Sequence, residues 1–377
     1  MNGQWNTVYL PEICEIKTGK HDANHAVNNG KYRFYTCSSE FSMCDTTSFS
    51  GESVIVPGNG DIGLVFYYNG DFDAYQRTYV LNNIKINAKF LYYHMLHNWR
   101  SRNENKQFGS TIRYVRMSNF TNYTISFPAS YEQQRIVDKI EELFSKLDKG
   151  VEELNKIKEQ LKNYRQAVLK ETLESNKPNH RVEDVVISFQ NGIAKRSGKE
   201  GREILVLRLA DVSNDSVIVS NDMRRILLSE EEQKTYVLDK DDAIIIRVNG
   251  SPDRVGRMIL VDQGNAYAFC DHLIRCKFNE KIVLPKYVKY CMDASACRKY
   301  IKENMVSTAG QNTISQSTIK NCPIFVPNIK EQETLVKQIE SRLSVCDKIA
   351  QTVNESLQKA ESLRQSILKQ AFEGKVV

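Results

Sequence analysis

No stretch of this 377-residue chain approaches the ~20 apolar residues that a bilayer-crossing helix requires. The opening MNGQWNTVYLPEICEIKTG has no basic segment followed by an apolar one, so no secretory leader is expected. The nine cysteines are odd in number and form no Cys-x-x-Cys, and no Cys/His cluster has zinc-finger spacing. Cys14, Cys37, Cys44, Cys270, Cys276, Cys291, Cys297, Cys322 and Cys346 are therefore read as reduced packing residues of a cytoplasmic protein. Without Gly-x-x-x-x-Gly-Lys-Ser/Thr there is no Walker phosphate loop. Asn-Pro-Pro-aromatic, the signature of amino-methyltransferases, does not occur. The six histidines make no His-Glu-x-x-His. His94 and His97 fall in a helical stretch, KFLYYHMLHNW, where such a pair packs rather than binds metal.

Two apparent motifs also dissolve. Gly58, Gly60 and Gly63 spell GxGxxG, but a dinucleotide site needs that motif to open a helix. LVFYY follows instead and reads as a strand, which makes the glycines a hairpin loop. Glu141 and Glu142 lie on the solvated face of a long helix. No catalytic residue, metal site or cofactor is expected in the chain. A net charge of +6 and a pI near 8.7 permit nucleic acid as a partner without demanding it.

What the chain does contain is a repeat. EQQRIVDKIEELFSKLDKGVEELNKIKEQLKNYRQAVLKETLE begins at Glu132, and EQETLVKQIESRLSVCDKIAQTVNESLQKAESLRQSILKQAFE begins at Glu331. They align without a gap, and roughly a third of the positions are identical. In the first copy Ile140, Leu147, Leu154, Leu161 and Val168 recur every seven residues, with Leu143, Ile157 and Tyr164 three residues behind members of that series. The second copy places Ile339, Cys346, Val353, Ala360 and Ile367 at the matching positions. Heptads sustained this long predict coiled-coil helices. Two apolar seams in one chain are most simply buried on each other, as a rigid spacer. Ser130 with Gln133, and Asn328 with Glu331, fit capping boxes, and Pro128 and Pro327 stand just outside the helices. The shared residues include polar ones, Ser145 with Ser344 and Arg165 with Arg364, which an apolar stripe alone does not require.

Residues 1–128 and 176–326 have strand-and-turn composition, and 129–175 and 327–377 are helical. SVIVPGNGDIG (Ser53 to Gly63) and AIIIRVNGSPDRVGRMILV (Ala243 to Val261) share the form strand, Gly-containing turn, strand. NYTISFP (Asn122 to Pro128) parallels NCPIFVP (Asn321 to Pro327). The repeating unit is a β-rich domain plus its trailing helix.

This pattern resembles the specificity (S) subunits of type I DNA restriction-modification systems, over essentially the whole chain. The resemblance rests on the Pro-x-x-x-Glu-Gln lead-in to each helix (Pro128 with Glu132 and Gln133, Pro327 with Glu331 and Gln332) and on the closing ILKQAFEGKVV. It also rests on GKHDANHAVNNGKYRFYTCSSE (Gly19 to Glu40) and PGNGDIGLVFYYNGDFDAYQRTYVL (Pro57 to Leu81). The second half departs from it. Nothing there matches Trp5, and Lys195 to Arg202 does not copy Gly19 to Glu40. The resemblance implies an α+β fold: two β-rich α/β target recognition domains, 1–128 and 176–326, separated by an antiparallel coiled coil formed by helical regions 129–175 and 327–377, with an internal pseudo-two-fold. It further implies a non-catalytic, DNA-binding subunit that reads a bipartite double-stranded target. Its partners would be two methyltransferase (M) subunits holding S-adenosylmethionine and, where present, restriction (R) subunits. A methylation-only or type II-like complex without an ATP-driven restriction subunit is the alternative. No membrane partner is implied.

Base edges are matched by Arg or Lys for guanine and Asn or Gln for adenine, and phosphates by cations. In the first domain the candidate contacts are Lys20, His21 and Asn24 in the early loop, and Gln76 and Arg77 after the Gly-rich hairpin. Arg100, Arg102, Lys106, Gln107, Arg113 and Arg116 join them from RSRNENKQFGSTIRYVRM. In the second they are Lys195, Arg196 and Lys199, then Arg247, Asn249, Arg254 and Arg257 around the hairpin, then Gln311, Asn312 and Thr313.

Overall fold

The computed structural model describes residues 5–109, 112–213, 216–264, 266–308 and 310–375. The chain forms two compact units, Met1–Asn155 with Asn354–Val377, and Lys156–Val353. Their divisions fall inside the long helices.

In the first unit Val54, Ile55 and Val56 are consecutive apolar residues, which calls for a strand covered on both faces. Strand Glu52–Pro57 is central to an antiparallel sheet, between Phe66–Asn69 and Thr78–Asn82, with Glu15–Thr18 outside the latter. Its side chains alternate as the pleat requires. Val54 and Val56 join the core under helix Ala88–Asn103 with Phe90, Leu91, Met95 and Trp99. Ile55 joins an aromatic core of Tyr35, Phe49 and Phe72. Strand Tyr32–Tyr35, parallel to Phe72–Ala74 and antiparallel to Ser42–Cys44, carries part of that second core. The Gly58–Gly63 motif is therefore a hairpin connection between antiparallel strands, as its flanks predict.

The second unit repeats these two sheets in the same strand order and adds a small ribbon of its own. Val186–Asn191, Leu273–Phe278, Ala243–Ile246 and Met258–Leu260 form the antiparallel sheet. Arg202–Leu207 pairs parallel with Tyr267–Phe269 and antiparallel with Arg224–Leu228. Ala243 and Ile245 face one core, Ile244 and Ile246 the other. Each fully buried Val or Ile contributes about 1.5–3 kcal/mol through the area it removes from water.

The two long helices run Ser130–Leu173 and Ile329–Phe372, 44 residues each. In the first unit Ile136, Val137, Ile140 and Phe144 pack with Ile367, Leu368 and Ala371. In the second, Val168, Leu169 and Leu173 pack with Val336, Ile339 and Leu343. The start of one helix meets the end of the other each time, so the pairing is antiparallel. The seam of the second copy is buried throughout. That of the first is buried at Ile140 and Val168 but only half-buried at Leu147, Leu154 and Leu161. Ile157 and Tyr164, expected in the seam, are exposed. Tyr164 lies on its flank, where Arg342 donates to its hydroxyl.

The polar identities also find a use. Arg364 pairs with Asp148 in the first unit, and Arg165 with Asp347 in the second: one interaction with its donor and acceptor helices exchanged. The capping box expected at Ser130 does not form. Ser130 is already helical, and the amides of Glu132 and Gln133 donate to the Ala129 carbonyl. Asn328 does cap the second helix, its Oδ1 accepting from the Glu331 amide at 3.0 Å.

Gln133 is drawn away from capping by a different task. It is buried, its Nε2 donates to the Pro128 carbonyl (2.8 Å), and its Oε1 accepts from the Asn87 amide (2.9 Å) at the cap of helix Ala88–Asn103. Gln332 does the same in the second unit. It donates to Pro327 (2.7 Å) and Ile282 (2.9 Å) and accepts from Leu284 (2.8 Å), at the cap of helix Pro285–Asp293. The glutamine of each Glu-Gln lead-in is thus a buried strut that locks its long helix to its own β-rich domain. Salt bridges Lys89–Glu141 and Lys286–Glu340 reinforce the same junctions.

Candidate nucleic-acid interface

At one edge of the first unit, four chain segments are laced together by backbone hydrogen bonds. Gly19 donates to Thr78, Gln76 to the His21 carbonyl, Gly58 to Arg77, and Gly60 to Arg113. Glycine is required at Gly19, where a Cβ would stand 1.8 Å from the Ala74 carbonyl. The lacing brings Lys20, Asn24, Gln76, Arg77 and Arg113 to one edge, all exposed. Arg100 reaches it through Asp61, 2.7 Å away in the Gly-rich loop.

His21 is turned inward. Its Nε2 lies 3.3 Å from buried Asp73, and its ring stacks on His25 with centroids 3.8 Å apart. These three residues bring potential ligand atoms together. The two rings are parallel within 8°, however, so their nitrogen lone pairs run side by side instead of converging on one ion. Thr46, bonded to both His25 (2.7 Å) and Asp73 (2.7 Å), completes a hydrogen-bonded stack that stiffens the early loop.

Three other candidates of this unit are held by the fold. Arg102 donates to the Thr124 carbonyl at 2.6 Å and lies over the Tyr123 ring. Arg116 stacks on Phe108 at 3.9 Å and bonds the Tyr114 hydroxyl. Gln107 donates to the Glu104 carbonyl. Lys106, Gln107 and Arg102 line an open cavity of about 680 Å³ with Asn119 and Asn122. Ser110 and Thr111 of the same stretch lie outside the described residues.

The second unit builds the corresponding edge. Gly192 approaches the Cys270 carbonyl as Gly19 approaches Ala74, with 2.0 Å left for a Cβ. Arg247 donates to the His272 carbonyl (2.8 Å) and accepts from Ile314 (2.9 Å), as Gly58 does with Arg77 and Val115. Arg247, Asn249, Gln311, Asn312 and Thr313 are thereby gathered. Arg196 and Lys199 are exposed on the early loop, while Lys195 is paired with Glu232 at 2.5 Å. Arg254 and Arg257 are committed to internal partners: the Val212 carbonyl at 2.7 Å, and buried Asp293 at 2.7 Å. The turn Asp271–His272 occupies the place of Gln76–Arg77 and was missed by sequence reasoning. Only the non-local parallel pairing of Tyr267–Phe269 with Arg202–Leu207 reveals it.

Each unit also carries a groove between its domain helix and the paired long helices. In the first it is about 540 Å³, lined by Tyr93, Glu141, Ser145, Asp148 and Arg364. In the second it is about 950 Å³, lined by Tyr290, Glu340, Ser344, Asp347 and Arg165. These five lining residues correspond one to one, which gives the polar identities of the repeat a place, while Tyr92, Leu96 and Phe144 of the first groove are replaced by Lys289, Asp293 and Leu343 in the second.

A β-rich scaffold used twice, each copy with its own trailing helix, a helical groove and a loop edge of different chemistry, defines a protein of two like modules. Comparison with known proteins gives the family. The chain belongs to the type I restriction modification DNA specificity domain family, whose model matches residues 2–163 and again 183–359. It is 33% identical over 282 residues to the type I restriction enzyme StySPI specificity subunit of Salmonella potsdam, covering 71% of this chain and 61% of that subunit. It is 27% identical to the EcoDI specificity subunit of Escherichia coli, covering 99% of this chain and 88% of that subunit. A solved chain of a type I restriction-modification system, 16% identical and covered over 98% of its length and 99% of this chain, shares the fold with a TM-score of 0.70. Among the described residues no helix is long and apolar enough to cross a membrane.

Proposed function

We propose that this chain reads a bipartite double-stranded DNA target, one half-site per recognition module, and presents that DNA to two copies of a methyltransferase subunit. Residues 1–128 and 176–326 are the recognition modules, and 129–175 and 327–377 are the helical regions that set their spacing. One observation carries the reading: a polar set of Tyr, Glu, Ser, Asp and Arg recurs in the helical groove of both units while the loop edges differ. A recurring groove suits two copies of one partner, and different edges suit two different half-sites. The partner would hold S-adenosylmethionine and transfer its methyl group to adenine. Restriction subunits would add cleavage where they are present.

The DNA contacts proposed are the exposed members of each edge. They are Lys20, Asn24, Gln76, Arg77 and Arg113 in the first module, and Arg196, Lys199 and Gln311 in the second, with half-buried Arg247 and Asn249 beside them. The test is to express the chain with its methyltransferase subunit in a host lacking other DNA modification and to sequence modified bases genome-wide. A split motif with a fixed gap is expected. A continuous motif, or none, would overturn the reading.

A further inference from the structure

In the second unit the loop after the central strand becomes a three-stranded ribbon. Val248–Asn249 pairs with Gln311–Thr313, which pairs with Val306–Thr308. Directly opposed residues, and residues two apart on a strand, share a face. Val306 opposes Thr313 and Thr308 opposes Gln311, so these four line one face, while Ser307 and Asn312 line the other. The hydrogen bonds agree. Ser307 Oγ donates to Asn312 Oδ1 at 2.6 Å, and Asn312 Nδ2 donates to the Gly250 carbonyl at 2.9 Å. That second face is satisfied by the protein itself.

The first face is not. Val306, Thr308 and Gln311 are exposed, Val306 to 64%. Among the described residues neither the Gln311 amide nor the Thr308 hydroxyl has a hydrogen-bond partner. One exposed valine is ordinary. A row of valine methyl, threonine methyl and hydroxyl, and carboxamide on a stiff ribbon is a specific set of chemistries. No Asp or Glu occurs from Asn304 to Lys320, so phosphates could approach without repulsion. Two strands about 4.8 Å apart fit the major groove, roughly 12 Å wide, which admits a two-stranded ribbon. There a Gln carboxamide pairs with the N6 and N7 edge of adenine, and aliphatic methyls pack on the thymine methyl.

We propose that the face formed by Val306, Thr308, Gln311 and Thr313 lies in the DNA major groove and reads an A·T pair of the second half-site. Gln311 bonds the adenine edge and Val306 meets a thymine methyl. This rests on the DNA-reading function above and deepens it by naming the base pair. The first unit has no such ribbon. There, among the described residues, the corresponding segments meet only through isolated bridges, Asn59 with Tyr114 and Phe108 with Tyr114, so the assignment concerns the second half-site alone.

The test uses the chain in complex with its methyltransferase subunits and a duplex library randomised through both half-sites, with bound duplexes sequenced. Gln311→Ala should lower the preference for one A·T pair of the second half-site about tenfold or more and leave the first half-site intact. Val306→Ser should shift the neighbouring thymine preference by less. Arg196→Ala, on the same edge, should weaken binding at every sequence and flatten its salt dependence without changing the motif. An unchanged second half-site in Gln311→Ala, or an equal loss at all positions, overturns the ribbon assignment. A wild-type complex that selects no split motif overturns the functional reading and the ribbon with it, and that failure is recognised before any variant is made.

Discussion

The two units share a scaffold and differ at its working edge and in part of its core. The sheets, the buried glutamine strut, the exchanged arginine–aspartate pair and the helical groove recur. The edge of the first unit is a Gly-rich loop flanked by cations, whereas that of the second is a ribbon of Gln, Asn, Ser, Thr and Val. Beneath, the first unit buries His94 against Tyr123 (3.1 Å), and the second has the thiols Cys291 and Cys322 in its corresponding core. On the proposed function, the recurring helices and grooves would meet the same partner twice, and the differing loops would meet different bases.

The comparison breaks most completely if the helical register is spoiled. Inserting four residues after Leu154 and after Val353 rotates each seam off its partner, and assembly with the methyltransferase should be lost on size-exclusion chromatography. A seven-residue insertion at both places keeps the seam. It adds roughly 10 Å of helix, so the unspecified gap of the methylated motif should lengthen by about three base pairs while both half-sites stay the same. An unchanged gap would show that the helix pair is not the ruler.

The strut is the next lever. Gln133→Ala orphans the Asn87 amide and the Pro128 carbonyl, and Gln332→Ala orphans the Leu284 amide and two carbonyls. A buried group left unpaired costs about 1–3 kcal/mol, so both variants should lower the urea midpoint, Gln332→Ala the more. Equal shifts would deny the difference in bonding.

Acid should separate the units more gently. Burial, aided by Arg102 and His97, holds the His94 imidazole down to about 3 from an ordinary value near 6.5. The unfolded chain therefore binds the extra proton between those values, and stability falls as pH drops from about 6.5 toward 3. The second unit has no such group in its matching core, so hydrogen exchange at pH 4.5 should rise first in the first unit. His94→Leu should narrow the difference, and because burial also holds the His97 imidazole below its ordinary value, the double variant with His97→Leu should narrow it further. Smallest of all, Arg364→Ala and Arg165→Ala break part-exposed pairs and should each cost no more than about 1 kcal/mol, less at high salt.

Much of this was readable from the chain. The ungapped repeat and the seven-residue spacing gave both long helices, and the strand, turn, strand form of Ser53 to Gly63 and Ala243 to Val261 gave the central strands and the turns after them. What stayed hidden was non-local. The parallel pairing of Tyr32–Tyr35 with Phe72–Ala74, and of Arg202–Leu207 with Tyr267–Phe269, decides which turns share an edge, and no local pattern encodes it. Nor does a sequence distinguish a free cation from one already spent. Arg77 and Arg254 both flank a hairpin, yet Arg254 serves the Val212 carbonyl while Arg77 stays exposed. Gln133 looked like a cap because its bond to Asn87 spans 46 residues.

The most direct test of one scaffold reading two independent half-sites is exchange. Replacing residues 1–128 by the first module of another family member, with everything after Pro128 kept in register, leaves the second module, its strut and its groove untouched, and the incoming module supplies the partners of Gln133 and its own wall of the first groove. Sequencing of modified bases in cells expressing this chimaera with the methyltransferase subunit should show a new first half-site, the original second half-site and the original gap. A motif altered in both halves, or in the gap, would contradict it.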